Sequence, residues 1–149
     1  MKISFEQAAL AEPEVIIRGD LADPRISELA AAIQKAAGAS RLFLYRDERE
    51  YPHDFSEIAW FETCDNKTIA HLGAERFEAK YKLYELAEMG HRHGFVQISK
   101  SVLVNVRAVE SVAAEFSGNY TAYMKDGKTR LTISRKYMKA FRSYVMEVR

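Results

Sequence analysis

The chain has 149 residues, of which 48% are hydrophobic and 29% charged, with a formal net charge of +1. That length suits one domain with a real core, and the composition excludes a disordered chain. No apolar run approaches the roughly 18 residues of a membrane span, the N-terminus lacks the basic start and apolar stretch of a signal peptide, and a lone cysteine, Cys64, excludes an internal disulfide, so a cytoplasmic protein is expected.

Residues 13–20, PEVIIRGD, are a short β-rich run ended by Gly19 and predict a strand. A helix follows. Asp23 is placed to cap it, Pro24 fits its first position, and Ile26, Leu29, Ala30, Ile33 and Ala37 fall on one stripe before Gly38, a natural stop. Residues 1–40 thus read as a strand and an amphipathic helix. From Arg41 the pattern changes to short β-type runs: RLFLYR (41–46), EIAWFET (57–63) and TIAHLG (68–73). The intervening RDERE, Pro52 and CDNK are turn-like. ERFEAKY (75–81) alternates as a half-buried strand does. Leu83, Leu86 and Ala87, with Tyr84, suit a short helix ended by Gly90. FVQIS (95–99) and VLVNV (102–106) are apolar runs around Ser99-Lys100-Ser101. VRAVESVAAEF (106–116), YTAYMK (120–125) and TRLTIS (129–134) follow, separated by Gly118-Asn119 and Asp126-Gly127, the latter a hairpin signal. Ser134 can cap a last helix in which Tyr137, Phe141, Tyr144, Val145 and Val148 share a face. So many short strands at close spacing predict a mainly β domain of antiparallel sheets with short helices.

Charge is unevenly spread. Residues 96–149 carry 10 Lys and Arg against 4 Asp and Glu, leaving 12 against 17 in the remainder. A basic third on an acidic remainder points to a polyanionic partner. Catalytic and metal chemistries are poorly served. His91 and His93 alternate as strand ligands would, but no third ligand has zinc-like spacing. Cys64 and His71 could meet across a hairpin as a nucleophile pair, yet a lone Cys at a strand end is more often packing. No glycine-rich phosphate loop is present. The expectation is no enzyme, no metal and no cofactor.

Three polar features remain. Ser99-Lys100-Ser101 offers donors between two apolar runs. Ser134-Arg135-Lys136 puts two cations at a helix start, where the helix dipole favours negative charge. Arg135, Lys139 and Arg142 continue as a basic stripe, and Asp65-Asn66-Lys67 forms a polar hairpin tip. Singly, each is accounted for as solvated surface; on one small β scaffold they make a binding surface. Asn105, inside VLVNV, suits a structural role, its amide bonding nearby backbone.

FVQISKSVLVNVRAVESV, then GNYTAYMKDGKT, then LTISRKY, preceded by EIAWFETCDNKTIAHL and the YKLYELAE helix, resembles the core of the LytTR family of bacterial DNA-binding domains. The resemblance covers residues 41–149, with 1–40 as an extension. It implies small antiparallel sheets and double-stranded DNA read by loops, in successive major grooves at direct repeats. Carried over, it implies base contacts from Lys100, Arg135 and the tip around Asn66 and Lys67, and phosphate contacts from Ser99, Ser101, Lys136 and Lys139. Cationic side chains suit guanine acceptors and Asn suits adenine. Many members have His where this chain has Ser99. The common pairing with an N-terminal receiver domain does not fit a 40-residue extension, so the chain resembles the stand-alone branch. There the resemblance implies a membrane-protein inhibitor as a partner, and paired repeats would suit two copies on DNA. The alternative function is a protein-interaction module. Its docking element would be the 24–37 helix, unless that stripe packs on the β domain.

Overall fold

A computed structural model of the chain describes residues 1–10, 13–37 and 40–148, in two units, Met1–Ala37 and Gly38–Arg149. In the first unit helix α1 spans Pro24–Ala37. Asp23 accepts from the Arg25 amide at 2.9 Å and pairs with its guanidinium at 2.7 Å. Ile26, Leu29, Ala30 and Ile33 are its half-buried positions. The 13–20 run is not a strand, a correction to the sequence reading. Strand geometry leaves backbone groups unpaired unless a neighbouring strand takes them, and none among the described residues does. Gly38, the expected stop, lies outside the described residues.

The second unit holds two antiparallel sheets. Ten strands run β1 (Arg41–Arg46), β2 (Arg49–Asp54), β3 (Trp60–Cys64), β4 (Lys67–Leu72), β5 (Glu75–Ala79), β6 (Phe95–Gln97), β7 (Val102–Asn105), β8 (Val109–Ala114), β9 (Tyr120–Met124) and β10 (Arg130–Ile133). Helix α2 (Leu83–Gly90) follows β5, and α3 (Arg135–Glu147) ends the fold. The larger sheet has the order β2-β1-β5-β4-β3-β7-β6, the smaller β10-β9-β8. Most pairs are hairpins between consecutive strands. Only β1 with β5, through Tyr45 opposite Glu78, and β3 with β7, through Phe61 opposite Leu103, join distant segments.

Strand β2 replaces the expected turn at RDERE and Pro52. The turn itself is two residues, Asp47 and Glu48, both at positive φ (51° and 61°), the backbone a tight hairpin requires. Charged residues and Pro52 then fit β2 because it is the sheet edge, where a missing N–H need not break a ladder.

Alternation on β3 and β7 divides two cores. Phe61 and Leu103 point into one, with Phe55, Phe95 and the α2 residues Leu83 and Leu86. Val104 points into the other, with Ile98, Ile133, Met138 and Phe141, and Trp60 packs at its edge. Burial on both faces makes β7 a continuous apolar run with no room for register slip. Tyr84 is 70% exposed, off the apolar stripe of α2. On α3 the buried residues are Met138, Phe141 and Tyr144; Val145 is exposed and Tyr137 and Val148 half-buried, so the face is rotated from the predicted one. Gly90, the last residue of α2, lets Phe95 pack against the helix end, since a Cβ there would lie 2.9 Å from Phe95 Cβ. The left-handed stop comes later, at Gly94 (φ 93°), after a 3-10 turn over His91–His93. His93 is half-buried and stacks on Phe55 at 4.8 Å, and His91 is exposed, with its ring 5.1 Å from that of Tyr144.

Candidate nucleic-acid interface

The β6–β7 connection is closed from the inside. Ile98 N donates to Val102 O at 3.0 Å. Gln97 Nε2 donates to Ser99 O at 2.8 Å and Lys100 O at 3.4 Å, and Ser101 N donates to Ser99 Oγ at 3.3 Å. Lys100 and Ser101 are exposed and Ser99 half-buried.

Two backbone bonds bind this loop to its neighbours. Ser101 O accepts from Thr63 N at 2.8 Å, and Ile98 O accepts from Ser134 N at 2.9 Å. Thr63 is two residues before the turn Asp65-Asn66, whose φ values of 51° and 62° make it a tight two-residue hairpin. Ser134 immediately precedes Arg135, the first residue of α3. Asn66 and Lys67, Lys100 and Arg135 therefore lie on three loop ends of one hydrogen-bonded framework. Lys67, Lys100, Arg135, Lys136 and Lys139 are exposed, and among the described residues none of them enters a salt bridge. Arg142 lies 5.6 Å from the Tyr120 ring centroid, against the small sheet.

At the far end of β7 from the loop, opposite Phe95, sits Asn105, 4% exposed. Its Nδ2 donates to Ile58 O at 3.1 Å, its Oδ1 accepts from Arg107 N at 3.0 Å, and its own N donates to Ala59 O at 2.9 Å. One side chain thus joins the end of β7 to the segment entering β3, the strand that carries the 65–66 tip.

Helix α3 is not capped by the Ser134 side chain. Asn119, from the β8–β9 connection, supplies the oxygen: its Oδ1 accepts from Arg135 N at 3.0 Å. The sequence reading missed this residue, and also Gln97 and Thr63. Asn119 read as a turn residue beside Gly118, and nothing local connects it to a helix sixteen positions away. Gln97 carried a weak signal as the one amide in an apolar strand run.

The Cys–His pairing is not formed. Trp60 lies opposite His71 and Cys64 opposite Lys67, so the two are four positions apart, about 13 Å along the ladder. His71 instead stacks on Trp60 at 3.7 Å and bonds Glu62 Oε1 at 3.0 Å. Burial holds its pKa below the ordinary value, against the opposing pull of Glu62. Among the described residues no three His, Cys, Asp or Glu are grouped to hold a metal, and no helix is long and apolar enough to cross a membrane.

Comparison with known proteins agrees with this architecture. The family model described as the LytTr DNA-binding domain matches residues 48–146. A protein of Staphylococcus aureus strain MSSA476, named an uncharacterized HTH-type transcriptional regulator, is 26% identical over 143 residues, 95% of this chain and 96% of that protein. Its counterpart in strain MRSA252 is 25% identical over the same length. The solved structure of a LytTr DNA-binding domain from Bacillus cereus matches with a TM-score of 0.67, over 72% of this chain and 98% of that one, at 24% identity. Among the described residues no two α-helices are consecutive, and the helix-turn-helix in the relatives' name has no counterpart among them.

Proposed function

The chain belongs to the LytTr DNA-binding domain family, and we propose that it regulates transcription by setting three loops into successive major grooves of double-stranded DNA at direct repeats. Lys100 and Arg135 read base edges, guanine O6 and N7 being the acceptors that suit them, and Asn66 with Lys67 reads at the third loop. Ser99, Ser101, Lys136 and Lys139 hold phosphates, which sets register and affinity. Residues 41–149 are then the DNA-binding domain and 1–40 an extension. One observation supports this most: the bonds from Thr63 N to Ser101 O and from Ser134 N to Ile98 O, which couple three cation-bearing loop ends through rigid backbone. Flexible loops would lose more entropy on binding and read bases less sharply.

The test is selection of bound duplexes from random DNA by the full chain, then titration at several salt concentrations. Enrichment of repeated elements, with affinity falling steeply as salt rises, is expected. Binding with no sequence preference would overturn the reading. A second role, docking of a protein partner or another copy on the N-terminal unit, is supported by the exposed Ile3, Phe5, Val15 and Ile16. Deleting residues 1–37 should then change oligomeric state or partner capture and leave DNA affinity per domain unchanged.

A further inference from the structure

We infer that Phe116 is a further base-reading residue, whose ring packs against the 5-methyl group of a thymine beside the base contacted by Arg135. The inference rests on the reading of Arg135 as a DNA contact. The Phe116 side chain is fully exposed, and it has no ring partner among the described residues. A solitary exposed apolar residue is ordinary on a protein surface. Two features set this one apart.

The first is rigidity. Phe116 is the first central residue of a turn closed by Gly118 N donating to Glu115 O at 3.2 Å, inside a loop closed by Glu115 N donating to Asn119 O at 2.9 Å. Ser117 Oγ donates to Glu115 Oε2 at 3.3 Å and accepts from Asn119 N at 3.3 Å, and Thr121 Oγ1 donates to Glu115 Oε1. The ring is held out from a short loop whose polar groups are mutually bonded.

The second is position. The same loop caps α3 through Asn119 Oδ1, and Gly118 lies so near Arg135 that a Cβ on it would be 3.3 Å from Nη1. Gly118 also takes a φ of 90°, which side chains rarely adopt. Phe116 is two residues away, at most about 7 Å of chain, or roughly two base-pair steps of 3.4 Å. A loop brought that close to Arg135 enters the groove with it.

The chemistry selects the contact. A phenyl ring has no donor for phosphate, and the Glu115 carboxylate beside it is taken up inside the loop by the Ser117 and Thr121 hydroxyls. On the major-groove edge of a base pair the one apolar feature is the thymine methyl. A protein partner for Phe116 is the competing occupant, and the test separates the two.

The full chain is used to select duplexes from random DNA, and the base read by Arg135 is located with R135A. Each thymine of the selected duplex is then replaced singly by deoxyuridine, which removes only the methyl. One thymine within two base pairs of the Arg135 base should, on replacement, weaken wild-type binding about fourfold, the value of one buried methyl-sized group. Phe116→Ala should weaken binding to the thymine duplex by at least that factor and show no further loss on the uracil duplex. Unchanged near-ultraviolet circular dichroism checks that the exposed site has not altered the fold. Wild-type affinity in Phe116→Ala, or losses that multiply rather than coincide, would overturn the inference while leaving the DNA-binding reading intact. Failure to enrich any duplex would overturn both.

Discussion

Replacing Asn105 by Ala tests how the far end of β7, the strand leaving the proposed reading loop, is held to the segment entering β3. The side chain makes two hydrogen bonds, to Ile58 O at 3.1 Å and from Arg107 N at 3.0 Å, from a site only 4% exposed. Losing two bonds costs about 1 kcal/mol each, and leaving a buried partner unsatisfied adds about 1–3 kcal/mol. The expected loss is therefore about 3–5 kcal/mol, which leaves folded all but the least stable domains of the usual range of about 5–15 kcal/mol. Urea denaturation should show a lower midpoint at an unchanged slope, because the surface exposed on unfolding is the same. Asn105→Asp sharpens the test. It keeps the oxygen facing Arg107 N but replaces the donor to Ile58 O with an anion facing a carbonyl. At neutral pH it should be less stable than Asn105→Ala, and it should recover as acid protonates the carboxyl and restores a donor. A loss below about 0.5 kcal/mol in Asn105→Ala, the range of an ordinary surface change, would refute the reasoning.

Lys100→Ala and Arg135→Ala should each cost about 1–3 kcal/mol on selected DNA and relax sequence preference at one position, with melting temperature unchanged because both are exposed; a large drop in melting temperature would make them structural. Lys139→Ala should weaken binding evenly across sequences and reduce the slope of log affinity against log salt by about 0.9, measured by fluorescence titration. His71 gives a pH dependence. Burial lowers its folded pKa below the unfolded value near 6.5, so below that value the unfolded chain takes the proton first. Its contribution to stability is complete above pH 6.5 and is lost as pH falls through the folded pKa. His71→Gln, which can still bond Glu62, should therefore lose less stability than wild type between pH 8 and 5 in parallel denaturation series; identical pH curves would refute this assignment.

Much of the fold was readable because its signals are local. Alternation in RLFLYR and TIAHLG, the Asp126-Gly127 turn and the apolar spacing of Leu83 and Leu86 each express a constraint that acts within a few residues. Where the reading went wrong, a non-local condition decided. PEVIIRGD has strand composition but pairs with no strand among the described residues, whereas the charged REYPHD is a strand because it occupies a sheet edge. The buried face of α3 turned toward Met138 because that is where the small sheet and Ile98 lie.

The residues proposed to touch DNA were likewise visible as types: cations in short loops and at a helix start that the helix dipole disfavours. The sequence by itself determined that this is a mainly antiparallel β chain, with a basic C-terminal third and three exposed polar tips of the LytTR pattern. Only the tertiary structure decided that Thr63, Ser101, Ile98 and Ser134 would join those tips through backbone bonds, and that Asn119 would bring the Phe116 loop to Arg135. The physical reason is that backbone amides are alike at every position. Which carbonyl each one meets depends on how β3, β7 and the small sheet pack, and that is fixed by two cores filled from opposite faces of the same strands.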